Sequence, residues 1–104
     1  MAYKVIRHPL VRDDLSDITT LIGEYAGYSL ALNKIDAIED ALNSLVDFPK
    51  IGSTRDDILP GLRAIPAADK AVLCFTVDDE TGVVFIICVS YAGSDWMSRV
   101  KARV

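Results

Sequence analysis

Apolar residues recur at two different periods along this chain, and the change of period divides it. Val11, Leu15, Ile18, Ile22 and Tyr25 are spaced four, three, four and three apart. That spacing is one face of an α-helix. Asp13, Asp14 and Asp17 fall between these positions and are expected to point away from the apolar face, in the first turns, where the helix dipole favours carboxylates. Pro9 suits the first turn, where its missing N–H costs nothing, and Gly27 suits the end. Ser29 is a candidate N-cap for a second helix, in which Ala31, Ile35, Ile38, Leu42 and Leu45 repeat the same spacing. Phe48-Pro49 stops it. Two helices of roughly 16 residues joined by a short connection form an antiparallel helical hairpin.

Elsewhere the period is short. Tyr3–Arg7 is brief and partly β-branched, an opening strand that His8-Pro9 breaks. Ile51–Pro60 is polar and reads as a loop, and Gly61–Pro66 begins a strand. Ala71–Val77 and Val83–Tyr91 are the strongest strand candidates, joined by the turn Asp78-Asp79-Glu80-Thr81-Gly82. If Cys74 pairs near Ile86, one face of this hairpin carries Leu73, Phe75 and Val77 with Phe85, Ile87 and Val89, and packs on the helices. The other carries Val72, Cys74 and Thr76 with Val84, Ile86, Cys88 and Ser90, and is too apolar to face water. A sheet covered on one side needs a cover for the other, and a slip of one residue would exchange the faces. The basic tail, with Arg99, Lys101 and Arg103, either forms a last helical turn or frays. The fold class expected is α+β: a helical hairpin on a small twisted antiparallel sheet, in the order β-α-α-β-β-β.

Composition narrows the function classes. The 104 residues, 51% hydrophobic and 25% charged, suit one globular domain spanning 1–104. A mean hydropathy of +0.28 is high for so small a domain and predicts apolar surface left for a partner. The net charge of −4 argues against direct nucleic-acid binding, which rests on phosphate neutralisation by Lys and Arg. Cys74 and Cys88 lie in apolar runs with no zinc spacing, and read as buried small hydrophobes. No signal peptide is visible, and the longest apolar run, Val83–Val89, is too short to span a bilayer. A cytoplasmic location is expected.

Few residues point to chemistry. His8, the chain's one histidine, sits beside a proline with no orienting partner in view. Ser29, Ser44, Ser53, Ser90, Ser94 and Ser98 lie outside any GxSxG context, the glycines form no phosphate loop, and the acidic runs read as solvated loops; neither cofactor nor metal is expected. Arg63 is the exception, a guanidinium inside the apolar strand segment Leu62–Ile65, where it either pairs with a carboxylate or presents itself to a phosphate or carboxylate ligand. Asp95 follows the last strand as a cap or a site residue, and Trp96 is either core or an interface anchor.

Taken in order, these pieces resemble the ParE/RelE toxin superfamily. Pro9, Asp14, Leu15, Ile18 and Ile22 carry the first helix of the pattern, and Ile35, Ile38 and Leu42 the second. Phe48, Pro49, Gly52, Arg55, Gly61, Leu62, Arg63 and Asp95 complete it across nearly the whole chain. The resemblance is strongest to the ParE-like branch, the plasmid-stabilisation proteins. It implies the toxin of a type II toxin–antitoxin pair, bound in a hetero-oligomer by a cognate ParD-like antitoxin. Members of the ParE-like branch inhibit DNA gyrase and are not themselves nucleases; the RelE-like alternative is a ribosome-dependent mRNA endoribonuclease. A third reading is an inactive member that serves only as a binding module. The chain has Tyr91 where the superfamily commonly has His and Ser94 where Arg is common. A nuclease would therefore depend on Arg63 and Tyr91, which is thin for charge stabilisation and proton transfer. As target- or partner-binding residues the resemblance points to Arg55, Arg63, Tyr91, Asp95 and Trp96.

Overall fold

The computed structural model describes residues 2–104. Its elements run β1 (Lys4–Arg7), α1 (Val11–Ala26), α2 (Tyr28–Ser44), β2 (Arg63–Ala67), β3 (Ala71–Asp78), β4 (Val83–Tyr91) and α3 (Trp96–Arg103). This is the α+β architecture expected, with the tail resolved as a helix of its own.

The helical hairpin has no loop. Gly27, at φ +96°, closes α1 and opens α2 at once, so the expected cap at Ser29 falls inside the helix. That φ is open to glycine at no steric cost. Gly23 completes the joint, because a Cβ there would lie 2.2 Å from the Tyr28 ring that folds back over it. Pro9 lies in the turn before α1, where the Leu10 N–H donates to His8 Nδ1 at 3.0 Å.

The sheet order is β1-β4-β3-β2. It is mixed and not wholly antiparallel, since β1 runs parallel to β4, with α1, α2, β2 and β3 between them along the chain. The β3–β4 hairpin differs from the expected register. Val77 faces Val84 and Phe75 faces Ile86, but Cys74 faces Cys88, so Ile87 is an extra residue at a bulge. A bulge shifts the alternation by one position. Val84 and Ile86 therefore join Leu73 and Phe75 against the helices, while Phe85 and Ile87 turn to the second face, the reverse of the expectation. Beyond the bulge, Val89 and Cys88 keep the faces expected of them.

Against the first face pack Val11, Ile18 and Ile22 of α1 with Ile38 and Leu42 of α2 and Leu45 just past its end. The second face is covered by the chain itself. Val100 of α3 and Leu62 bury Cys74, Ile87 and Cys88 completely or nearly so, with Trp96, Ile58 and Leu59 around them. The partner expected to cover this face is not needed there.

Candidate functional site

One half of β4 has a strand neighbour on its outer edge and the other does not. β1 pairs only with Val83–Ile86, so beyond Ile86 the edge of β4 offers unpaired backbone groups. Such groups must be satisfied or they destabilise the fold. Three side chains do this at Ile87 and Val89. Asp14 Oδ2 accepts the Val89 N–H at 3.0 Å. Arg103 donates to the Ile87 carbonyl at 3.0 Å, and Arg99 to the Val89 carbonyl at 3.2 Å. Arg103 also forms a two-bond fork on the Asp14 carboxylate, both bonds at 2.7 Å. Asp14 is thus buried, against the expectation that it faces solvent, and it ties α1, β4 and α3 together. The hydrogen bonds to Asp14 raise the Arg103 pKa further.

The residues expected to form a site are divided between places. Arg63 lies at the start of β2 and spends its guanidinium on the Ile51 and Gly52 carbonyls, at 3.3 and 3.2 Å. Tyr91 lies at the far end of the sheet. Arg63 is in register with Phe75 and Tyr91 with Ala71, four positions apart on β3, which is about 13 Å along the strand. Arg55 pairs with Asp57 at 3.2 Å and stacks on Trp96, 5.4 Å from the ring centroid. Asp95 caps α3, accepting the Ser98 hydroxyl at 2.7 Å and the Ser98 N–H at 3.1 Å. The hydroxyl and then the N–H hold its carboxyl below the ordinary carboxylate range. The structure therefore brings Arg55, Asp95 and Trp96 together, sets Tyr91 beside them, and leaves Arg63 apart.

Tyr91 stands between two hollows. A shallow one of about 370 Å³ is lined by Lys70, Val72, Tyr91, Ser94, Asp95 and Trp96. A more apolar groove of about 450 Å³ runs between the hairpin tip and the sheet, and its walls include Leu21, Tyr25, Leu30, Lys70 and Tyr91. Tyr25 is 91% exposed and Leu21 52%, so the last residue of the expected helix stripe faces out and not in. Tyr28 and Leu32 extend the apolar surface along α2. Apolar surface is thus left over on the hairpin, while the second sheet face is covered.

Backbone strain collects at the same end. Ala68, Asp69 and Ala92 have φ of +48°, +68° and +55°. A left-handed residue other than glycine costs about 1–2 kcal/mol. The Ala92 N–H donates to the Lys70 carbonyl at 3.1 Å, which joins the two strained turns. Leu21, Leu30 and Lys70 were not among the residues expected from the sequence. The available signal was Leu21 and Tyr25, four apart and beside the main stripe of α1, with Tyr28 and Leu32 repeating the spacing on α2.

Among the described residues no group of three or more His, Cys, Asp or Glu is placed to hold a metal ion. No helix among the described residues is long and apolar enough to cross a membrane.

The chain resembles known proteins over most of its length. It is 31% identical over 84 residues to Toxin ParE3 of Caulobacter vibrioides, covering 81% of this chain and 83% of that protein. Its fold matches the chromosomal ParDE TA system from P. aeruginosa at a TM-score of 0.74 and 17% identity, over 88% of this chain and 97% of that one. It also matches a mutant of E. coli toxin RelE in the free state at 0.63 and 19% identity, over 100% and 99%. The toxin–antitoxin complex RelBE2 from Mycobacterium tuberculosis matches at 0.63 and 22% identity, over 88% and 100%. The profile of the family described as ParE toxin of type II toxin-antitoxin system, parDE, matches residues 5–96, and the chain belongs to that family.

Proposed function

We propose that this ParE-family toxin acts in the cytoplasm by protein–protein contact, inhibiting DNA gyrase, and is neutralised by a cognate ParD-like antitoxin. The observation that supports a contact mechanism is the groove at the hairpin tip. It combines exposed Leu21, Tyr25 and Leu30 with Tyr91 in a concave surface. Exposed apolar surface of this kind marks protein interaction sites. Lys70, which forms no salt bridge among the described residues, gives the groove a positive rim and suits a partner that offers apolar side chains beside a carboxylate.

The endoribonuclease alternative needs a base, an acid and a cationic group around one phosphate. Arg63 and Tyr91 lie about 13 Å apart along β3, and Arg63 is engaged by backbone carbonyls. That separation favours the contact reading.

Supercoiling by purified gyrase, with the chain added alone or with its antitoxin, tests the proposal. Loss of supercoiling that the antitoxin reverses is the expected result. Leu21→Lys should weaken partner binding at least tenfold while leaving the fold unchanged by circular dichroism. Cleavage of translated mRNA, read by primer extension, with supercoiling untouched, would establish the nuclease instead. No effect in either assay would leave a pure binding module.

A further inference from the structure

The two cysteines belong to neither hollow and serve no part of the contact mechanism. Cys74 and Cys88 are direct partners across β3 and β4, at the bulge, and both are fully buried free thiols. Opposed residues of antiparallel strands have Cα atoms about 4.5–5.5 Å apart. A disulfide spans about 4.4–6.8 Å between Cα atoms. Both side chains lie on the second face of the sheet, in the cluster with Leu62, Ile87 and Val100. The two thiols are near enough that each perturbs the other's pKa. The spacing of opposed strand residues therefore falls within the span of a disulfide.

What separates the pair from reagents is α3 together with the turn around Leu62. Val100 closes over the cluster, and Arg99 and Arg103 fix α3 to the edge of β4 and to Asp14. We propose that Cys74 and Cys88 form a latent redox pair, which a small-molecule disulfide such as glutathione disulfide closes into a cross-strand disulfide whenever α3 lifts from the sheet. The balance is that of thiol–disulfide exchange. One protein thiolate attacks a glutathione sulfur, forms a mixed disulfide and expels one glutathione thiolate. The second protein thiolate attacks the protein sulfur of that mixed disulfide and expels the other. The two cysteines lose two electrons and two protons, and glutathione disulfide gains them as two thiols. The neighbouring Cys74 thiol, with Arg103 and Arg99 nearby, holds the Cys88 thiol down, while the proximity of Cys88 and burial push Cys74 up. Cys88 is accordingly the first attacker.

The test uses the full chain in mixtures of reduced and oxidised glutathione, read by intact mass and by alkylation of free thiols. The expected product is a monomer that has lost two hydrogens and takes up no alkylating agent. Arg103→Gln should speed its formation at least tenfold, and Val100→Ala serves if that variant does not fold. Cys88→Ser should stop at a single glutathione adduct or stay reduced. The closed form should also be at least tenfold more favoured in the folded chain than in the same chain unfolded in urea. Three results would overturn the proposal: two separate glutathione adducts on the folded protein, equal rates in the wild type and the folded α3 variants, or no preference of the folded chain for closure.

Discussion

On its hairpin side the sheet meets helices of 16 and 17 residues, whose stripes place Val11, Ile18, Ile22, Ile38 and Leu42 against Leu73, Phe75 and Val84. On its other side it meets one helix of 8 residues and the turn around Leu62. The first cover is held by area, because fully burying a side chain such as Phe75 or Leu42 stabilises by roughly 1.5–3 kcal/mol without needing any particular orientation. The second is too small to be held that way alone. It is held at its margin by directional bonds, with Arg103 and Arg99 reaching the bare edge of β4 and Asp14 receiving them from the opposite layer. One face should therefore respond to changes in volume, and the other to changes in charge and hydrogen bonding.

The largest test of that contrast lies on the hairpin side. Phe75→Ala should destabilise the whole fold by about 3–5 kcal/mol, lost transfer energy plus a cavity the two helices do not refill. Urea unfolding followed by far-ultraviolet circular dichroism and by Trp96 fluorescence should shift together. Asp14→Ala should cost about 3 kcal/mol, because it leaves the Arg103 charge buried and the Val89 N–H without an acceptor. Here the two probes should separate, Trp96 reporting the loss of α3 at lower urea than the helical signal reports global unfolding. Coincident transitions in Asp14→Ala would mean that α3 is no less integral than the hairpin, and the contrast would fail.

That contrast also explains what could be read from the sequence. The hairpin side was legible because long helices bury regular stripes, and period survives in composition: Val11, Ile18, Ile22, Ile38 and Leu42 all lie where the spacing put them. Tyr25 did not, because the stripe continues past the end of the sheet it packs on. The second side was hidden for physical reasons. Asp14 reads as a solvated first-turn acid until Arg103, 89 residues away, arrives beside it. The bulge at Ile87 leaves no mark in an unbroken apolar run, yet it exchanges the faces of Phe85 and Ile86. Of the expected site, the neighbourhood of Asp95 and Trp96 was legible from local chain order. The remoteness of Arg63 from Tyr91 was not, since it depends on strand register.

A smaller effect separates the faces by pH. The folded pKa of Asp95 is depressed, so its cap contributes stability that is present above the unfolded value and lost as pH falls through the folded one. The window opens near the ordinary carboxylate value, about 4, and extends below it. Trp96 emission should hold constant from neutral pH down to that point and then shift before the helical signal falls. Asp95→Asn keeps a capping oxygen that does not titrate, and should remove the early shift. An unchanged acid profile in that variant would show that α3 is released by some other group.

The smallest expected effect has the opposite sign. Ser90 lies on β4 opposite Val72, is 2% exposed, and its hydroxyl is the one buried side-chain polar atom without a hydrogen-bond partner among the described residues. Burying a polar group unpaired costs about 1–3 kcal/mol, and replacing it with an apolar group of similar shape relieves that cost. Part of the relief is lost again with the van der Waals contacts of the missing oxygen, so Ser90→Ala should raise stability by about 1 kcal/mol or less. Urea midpoints of the two proteins compared at equal m-value would measure it. A loss of stability would mean that the hydroxyl is satisfied in solution, by a bound water or by a shift of β4, and that polar bonding supports this side of the sheet beyond its edge. A gain would place the directional bonds at the margin alone, with a dry and weakly packed interior beneath α3.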